Sequence, residues 1–167
     1  MAFWAYFDAS ALIKRYTQES GTPVVNEVFR LAPADRRICL SLGLLEVISI
    51  LVRKRNDGRI QEDFFRKALT AFKAEVVQDE RFSKLSVNDA LILDSSELIE
   101  RYGLNATDAI LLRSVLETRT SQDRADDLLL LTSDKRLVRA ARSEGVSALD
   151  PEIDSLAGVQ SLFPPTE

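Results

Sequence analysis

Short, largely apolar runs recur along this chain between longer amphipathic stretches, and that alternation restricts the fold more than any other feature. The clearest run is Leu128 to Thr132, read LLLLT, after which the chain turns polar at Ser133-Asp134. An unbroken apolar run of strand length suits a strand covered on both faces, the environment of a parallel sheet. Phe3 to Phe7 and the largely apolar Ile38 to Leu42 read the same way, and Phe82 to Val87 and Val146 to Leu149 read as short strands. Helices are predicted between them, over Ser10 to Tyr16, Pro23 to Leu31, a stretch carrying Leu44, Leu45, Val47, Ile48, Leu51 and Val52 as far as Asn56-Asp57-Gly58, Ile60 to Ala74, Ala90 to Tyr102, Asp108 to Thr118, and Lys135 to Glu144. Pro23 suits a first helical turn, and Gly103 and Gly145 suit helix ends. Strands alternating with helices predict an α/β three-layer sandwich around a mainly parallel central sheet, Rossmann-like in arrangement. The 167 residues suffice for one such core. Residues 1–150 read as a single domain and 151–167 as a C-terminal tail of little pattern. There is no internal repeat and no linker.

Composition narrows the chemistry. The chain has no histidine, which removes the commonest general base, the commonest zinc ligand and the Ser-His and Cys-His nucleophilic systems together. The single cysteine, Cys39, lies in the apolar stretch RRICLSL and reads as a buried structural thiol. Catalysis would therefore fall to carboxylates, hydroxyls, lysine or a bound hard cation, and 26 acidic residues make the cation worth pursuing. The net charge of −4 argues against a broad basic face for nucleic acid while leaving local basic patches open. The opening MAFWAYFDASALIKRY has no basic leader and Asp8 interrupts its apolar run, so neither a signal peptide nor a membrane span is expected, and a cytoplasmic location is the default.

Acidic residues that directly follow apolar strands are the ones to inspect, because ligand sites in open α/β sheets form beyond the carboxyl ends of parallel strands. Asp8 and Asp134 each follow a strand and precede a helix. Asp108 stands in the first turn of its helix, and Glu46 near the start of its own. All four can converge on one edge of the sheet. Each also has an ordinary reading: Asp8 and Asp134 as helix caps, Asp108 as a first-turn residue favoured by the helix dipole, Glu46 as a solvent-facing side chain. Glu46 resists that reading best, flanked as it is by Leu44, Leu45, Val47 and Ile48. Four carboxylates in one crevice would repel unless cations neutralised them, which a Mg²⁺ or Mn²⁺ site would do.

The segments YFDASALIKRY, LLEVISIL, NATDAILL and LLTSDKRL, in that order, closely resemble the motifs of PIN domains, in particular those of the VapC-type ribonuclease toxins of bacterial toxin-antitoxin pairs. The resemblance spans almost the whole chain. It implies that Asp8, Glu46, Asp108 and Asp134 hold Mg²⁺ or Mn²⁺, and that Ser10 and Thr132 orient those ligands or touch the scissile phosphate. It further implies hydrolysis of RNA phosphodiester bonds, a cognate antitoxin and a homodimer. Lys14 and Arg15 beside the first motif, and Lys135, Arg136 and Arg139 beside the last, are candidates for steering the phosphate chain, and equally for a solvated helix face. Val24, Phe29, Phe65 and Phe72 are either core or a surface for an antitoxin or second subunit. The charged stretch from Thr118 to Asp127 is longer than in compact members of that family. Asp89, Asp94, Asp126 and Asp127 match no motif and read as solvated.

Two other readings compete. A haloacid-dehalogenase-type phosphatase also places an Asp after the first strand, but wants a second Asp where this chain has Ser10. A PIN-fold binding module without turnover is the reading from outside catalysis, and the presence of all four acids counts against it.

Overall fold

The computed structural model describes residues 3–121 and 128–162. Over these the chain runs β1 (Trp4–Phe7), α1 (Ala9–Leu12) with a 3₁₀ turn (Ile13–Arg15), α2 (Thr22–Leu31), a second 3₁₀ turn (Ala34–Arg36), β2 (Arg37–Leu40) and α3 (Ser41–Asn56). It continues with α4 (Glu62–Phe72), a π-helical turn (Lys73–Val77), β3 (Ser83–Leu85), α5 (Asp89–Asp94), α6 (Ser96–Tyr102), α7 (Ala106–Ser121), β4 (Leu128–Leu131), α8 (Lys135–Ser143), β5 (Ser147–Leu149) and α9 (Leu156–Leu162). The five strands form one sheet in the order β3-β2-β1-β4-β5, every neighbouring pair parallel.

Side chains alternate across this sheet with the strand period of two, and each face has its own core. Ala5 and Phe7 of β1, Cys39 of β2, and Leu129 and Leu131 of β4 enter one cluster with α2, α3 and α4. Tyr6, Ile38, Leu40, Leu128 and Leu130 enter the other with α5 to α8. Tyr6 is fully buried and remains satisfied because its hydroxyl bonds Ser114 Oγ of α7 at 2.7 Å. Val24, Phe29, Phe65 and Phe72, left open above between core and partner surface, all belong to the first cluster. Cys39 is buried, and burial pushes its thiol up to about 12, out of nucleophilic range.

Several boundaries differ from those predicted. The second strand ends at Leu40, two residues early, because Ser41 turns into α3 and its hydroxyl donates to Leu85 O at 2.9 Å. The helix predicted over Ala90 to Tyr102 is two, broken at Ser95, whose buried hydroxyl donates to Leu91 O at 2.6 Å. Such back-bonding bends helices. The helix starting at Ile60 begins instead at Glu62 and passes into a π-helical turn that holds Glu75 against Arg15 and Tyr16. Part of the polar loop expected from Ser121 to Asp127, with Asp126 and Asp127, lies outside the described residues, and α7 itself extends to Ser121.

The tail is packed against the domain as far as it is described. Lys14 Nζ pairs with Glu152 Oε1 at 2.6 Å, α9 lies against α2, and Val159 is fully buried. Gly21 permits this approach twice over. Its φ of +89° is left-handed, and a Cβ there would stand 2.8 Å from Pro151 O.

Candidate active site

The sheet order reverses between β1 and β4, since the chain steps outward from β1 to β2 and β3 before returning to β1's other side. The connections leaving β1 and β4 therefore diverge onto opposite faces and open a crevice beyond the strand ends. Asp8 is the first residue past β1, and its amide continues the ladder by donating to Leu131 O at 2.9 Å. Thr132 is the first residue past β4, with its amide on Leu149 O at 3.1 Å. Two regular strand pairings thus fix these backbones before any side chain is considered.

A hydroxyl network joins the two strand ends. Thr132 Oγ1 donates to Asp8 Oδ2 at 2.8 Å and accepts from Asp134 N at 3.1 Å. Ser10 Oγ donates to the same Asp8 oxygen and accepts from Ser133 N at 2.9 Å. Asp8 is only 7% exposed and caps no helix with its side chain, although α1 begins immediately after it. No regular side-chain cap forms at Asp8, although the Ala9 and Ser10 amides still favour its ionised form, whereas the capping reading holds for Asp134, whose Oδ1 accepts from Arg136 N and Leu137 N at 2.8 and 2.9 Å. Asp108 is fixed reciprocally: Asn105 Oδ1 accepts from Asp108 N, and Asn105 Nδ2 donates to Asp108 Oδ2 at 2.7 Å. Each of the three aspartates is thereby held through one carboxylate oxygen.

Asp8, Glu46, Asp108 and Asp134 line one crevice of about 350 Å³ together with Ala9, Ser10, Ser49, Ile50, Arg53 and Asn105. The charges sense one another. Partial burial, then Asp8, then Asp108 push the Glu46 carboxyl up to about 7, and burial with Asp8 and Asp134 pushes Asp108 up to about 6. Burial raises Asp8 as well, against the lowering effect of the Ser10 and Thr132 hydroxyls. The apolar sequence neighbours of Glu46 are not what isolates it, since Leu45 beside it is 67% exposed. Adjacent helical residues point in different directions, and the crevice wall does the burying.

A PIN domain family model matches residues 5–143. The chain belongs to the PIN domain family. Two solved structures share its fold: a toxin-antitoxin complex from Klebsiella pneumoniae, at 20% identity and TM-score 0.54 over 88% of this chain and 97% of that one, and a protein from Pyrobaculum aerophilum, at 18% identity and TM-score 0.55 over 89% and 90%. No curated protein matches the chain. PIN domains are generally nucleases and typically use divalent metal ions.

The donor set of this PIN domain fits such an ion: carboxylate and hydroxyl oxygens, with neither histidine nor an accessible thiol, are the partners of hard cations. Among the described residues no three histidine, cysteine, aspartate or glutamate side chains are grouped as a ready-made metal cage. Ser133 Oγ, adjacent in sequence to Asp134, is buried without a hydrogen-bond partner among the described residues.

The basic candidates divide. Lys14 is buried and paired with Glu152 and, at 4.0 Å, Glu19, while Arg15 binds Glu75 and Asn26 and packs over the Phe29 ring. Neither lines the crevice, because the 3₁₀ turn after α1 carries both into structural contacts. Lys135, Arg136 and Arg139 do line an adjoining crevice that shares Asn105, Asp108 and Asp134 with the first. Sequence reasoning missed Arg53 and Ser49, although helical spacing marks both: residues 46, 49, 50 and 53 lie on one face of α3. Asp89 and Asp94 are exposed on α5, as expected of solvated acids.

Asp134 carries a structural duty besides any role toward a ligand, and the two separate by substitution. Asp134→Ala loses both cap hydrogen bonds and about 1 kcal/mol of stability. Asp134→Asn keeps the cap and stays near wild type. Chemical denaturation of both variants in chelator measures the difference.

Proposed function

We propose that this PIN domain is a Mg²⁺- or Mn²⁺-dependent endoribonuclease, the toxin of a toxin-antitoxin pair, with Asp8, Glu46, Asp108 and Asp134 as its metal ligands. The observation that carries the reading is the arrangement of the three aspartates. Each is held through one oxygen by a hydroxyl, an amide side chain or a helix end, which leaves its second oxygen for a cation. Bound there, the ion would supply Lewis acidity, lowering the pKa of an attacking water and neutralising charge that develops on the phosphoryl group and the departing oxygen. No general base of the histidine type is then needed.

The protein's part is orientation. Ser10 and Thr132 hold the Asp8 carboxylate in one position through paired hydroxyl donors, and Thr132 carries the constraint on to the Asp134 amide. Asn105 does the same for Asp108. These contacts are the outer support that metal-ligand carboxylates ordinarily require. The amino end of α8, with Asp134 across it, adds a positive dipole end at the edge of the site.

RNA as substrate, a cognate antitoxin and a homodimer are supported by the order of motifs in the sequence, and the antitoxin also by the shared fold with the Klebsiella pneumoniae complex. No helix among the described residues is long and apolar enough to cross a membrane. The test is cleavage of a mixed RNA panel by purified protein in Mg²⁺ or Mn²⁺, with chelator as control and single-stranded DNA alongside. Metal-dependent RNA cleavage that disappears in Glu46→Gln supports the reading. Silence of the wild type with both metals, or equal cleavage of DNA, rejects the ribonuclease.

A further inference from the structure

The crevice that holds the four acids is a poor landing place for a phosphodiester, because it is anionic on a chain of net charge −4. Something flanking it must carry the positive charge that holds a substrate. The cations near it are not equivalent. On α3, Lys54 pairs with Glu19 at 2.6 Å, and Arg55 packs over the Phe65 ring and lies 3.8 Å from Glu62. Arg53 lines the acidic crevice, is exposed, and its side chain has no ion pair or hydrogen bond among the described residues. On the α8 side, Arg136 Nη1 donates to Gly103 O at 2.7 Å and is committed to the fold. Lys135 and Arg139 line the adjoining crevice, are exposed, and are likewise without a partner among the described residues. The two crevices meet at Asn105, Asp108 and Asp134.

We propose that Arg53 and Arg139 bind the phosphates on either side of the scissile one, so that a polynucleotide strand crosses the acids from α3 to α8. The inference rests on the nuclease reading and names its substrate track. A guanidinium suits this task because its planar fork meets two phosphate oxygens at once and remains charged at any working pH. A surface guanidinium with no carboxylate on it gives up no ion pair when a phosphate arrives. The track takes a single strand. Asp8 lies buried at the floor of the crevice, and only a backbone free to bend between two anchored phosphates delivers the middle one to it. Lys135 adds a third, less directional charge at the α8 end. Neither arginine touches the reacting atoms; both are positioning residues.

The experiment measures binding apart from cleavage. A short fluorescent single-stranded RNA is titrated with the intact protein in chelator, at several monovalent salt concentrations, for the wild type, Arg53→Gln, Arg139→Gln and Lys67→Gln. Lys67 is exposed on α4, outside both crevices, and its variant matches the charge change. Arg53→Gln and Arg139→Gln are each expected to weaken binding about three- to tenfold and to lower the slope of log K against log salt by roughly 0.7, the loss of one phosphate contact on a single strand. Lys67→Gln should leave both unchanged. The track is overturned if Arg53→Gln behaves as Lys67→Gln does, or if RNA binding ignores both arginines while an acidic peptide depends on them. Failure of the nuclease reading is distinguishable: wild type would then bind RNA through Arg53 and Arg139 yet cleave nothing with metal present.

Discussion

Asp8→Asn is expected to abolish metal-dependent RNA cleavage without unfolding the protein. Loss of a metal-ligand carboxylate would remove several kcal/mol of transition-state stabilisation, about a thousandfold in rate at one decade per 1.36 kcal/mol. The stability half of the expectation is the sharper one. Asp8 is a nearly buried carboxylate whose burial raises its pKa, and an asparagine of the same shape can still accept from Ser10 and Thr132 at its amide oxygen. Removing a desolvated charge that repels Glu46 and Asp108 should therefore hold or raise the melting temperature in chelator. Cleavage assays and thermal unfolding on one preparation read both quantities. A variant that loses activity by melting would return Asp8 to the status of a structural residue.

Glu46→Gln gains stability over wild type as pH rises, when metal is absent. The Glu46 carboxyl sits at about 7 in the folded chain against an ordinary 4.5, and Asp108 at about 6 against 3.8. For both groups the folded state holds protons that the unfolded chain has already released, so their contribution is full below pH 4 and is lost as pH climbs toward 7. Glu19 and Glu75 are held low by Lys54 and Arg15 respectively, and act with the opposite sign, losing stability on acidification. The wild-type profile alone therefore mixes the two. The difference between Glu46→Gln and wild type isolates the crevice: near zero at pH 4, it should reach about 1 kcal/mol after solvent screening at pH 8, or 2–4 °C in melting temperature. Saturating Mn²⁺ should erase the advantage, since the ion neutralises in wild type what the substitution removes. A difference that is flat with pH would mean that Glu46 is solvated like any surface acid.

Much of this was legible before any coordinates. Strands reveal themselves by unbroken apolar runs because both faces of a parallel sheet are covered, and β1 and β4 fell close to where Phe3 to Phe7 and Leu128 to Thr132 placed them. From there the rule that sites open beyond strand ends led to Asp8 and Asp134. What stayed illegible depends on contacts distant in sequence. Nothing local says that Ser95 breaks a helix by bonding back to Leu91, or that the tail packs onto Gly21 through Pro151. Lys14 and Arg15 look like phosphate binders beside the first motif, and only their distant partners Glu152 and Glu75 explain why they face elsewhere. Arg53 was within reach, two helical turns beyond Glu46, for a reader who extended the periodicity of α3 past its first acid.

The claim on which the rest depends is that four carboxylates make one cation site. Titration of metal-free protein with Mn²⁺ by calorimetry at pH 7, in two buffers of different ionisation enthalpy, tests it most directly. Wild type should bind saturably and release protons, because Glu46 titrates near that pH and must ionise to serve as a ligand, and Asp8→Asn should bind at least about tenfold more weakly. No saturable binding by wild type, or equal binding by Asp8→Asn, would contradict the account.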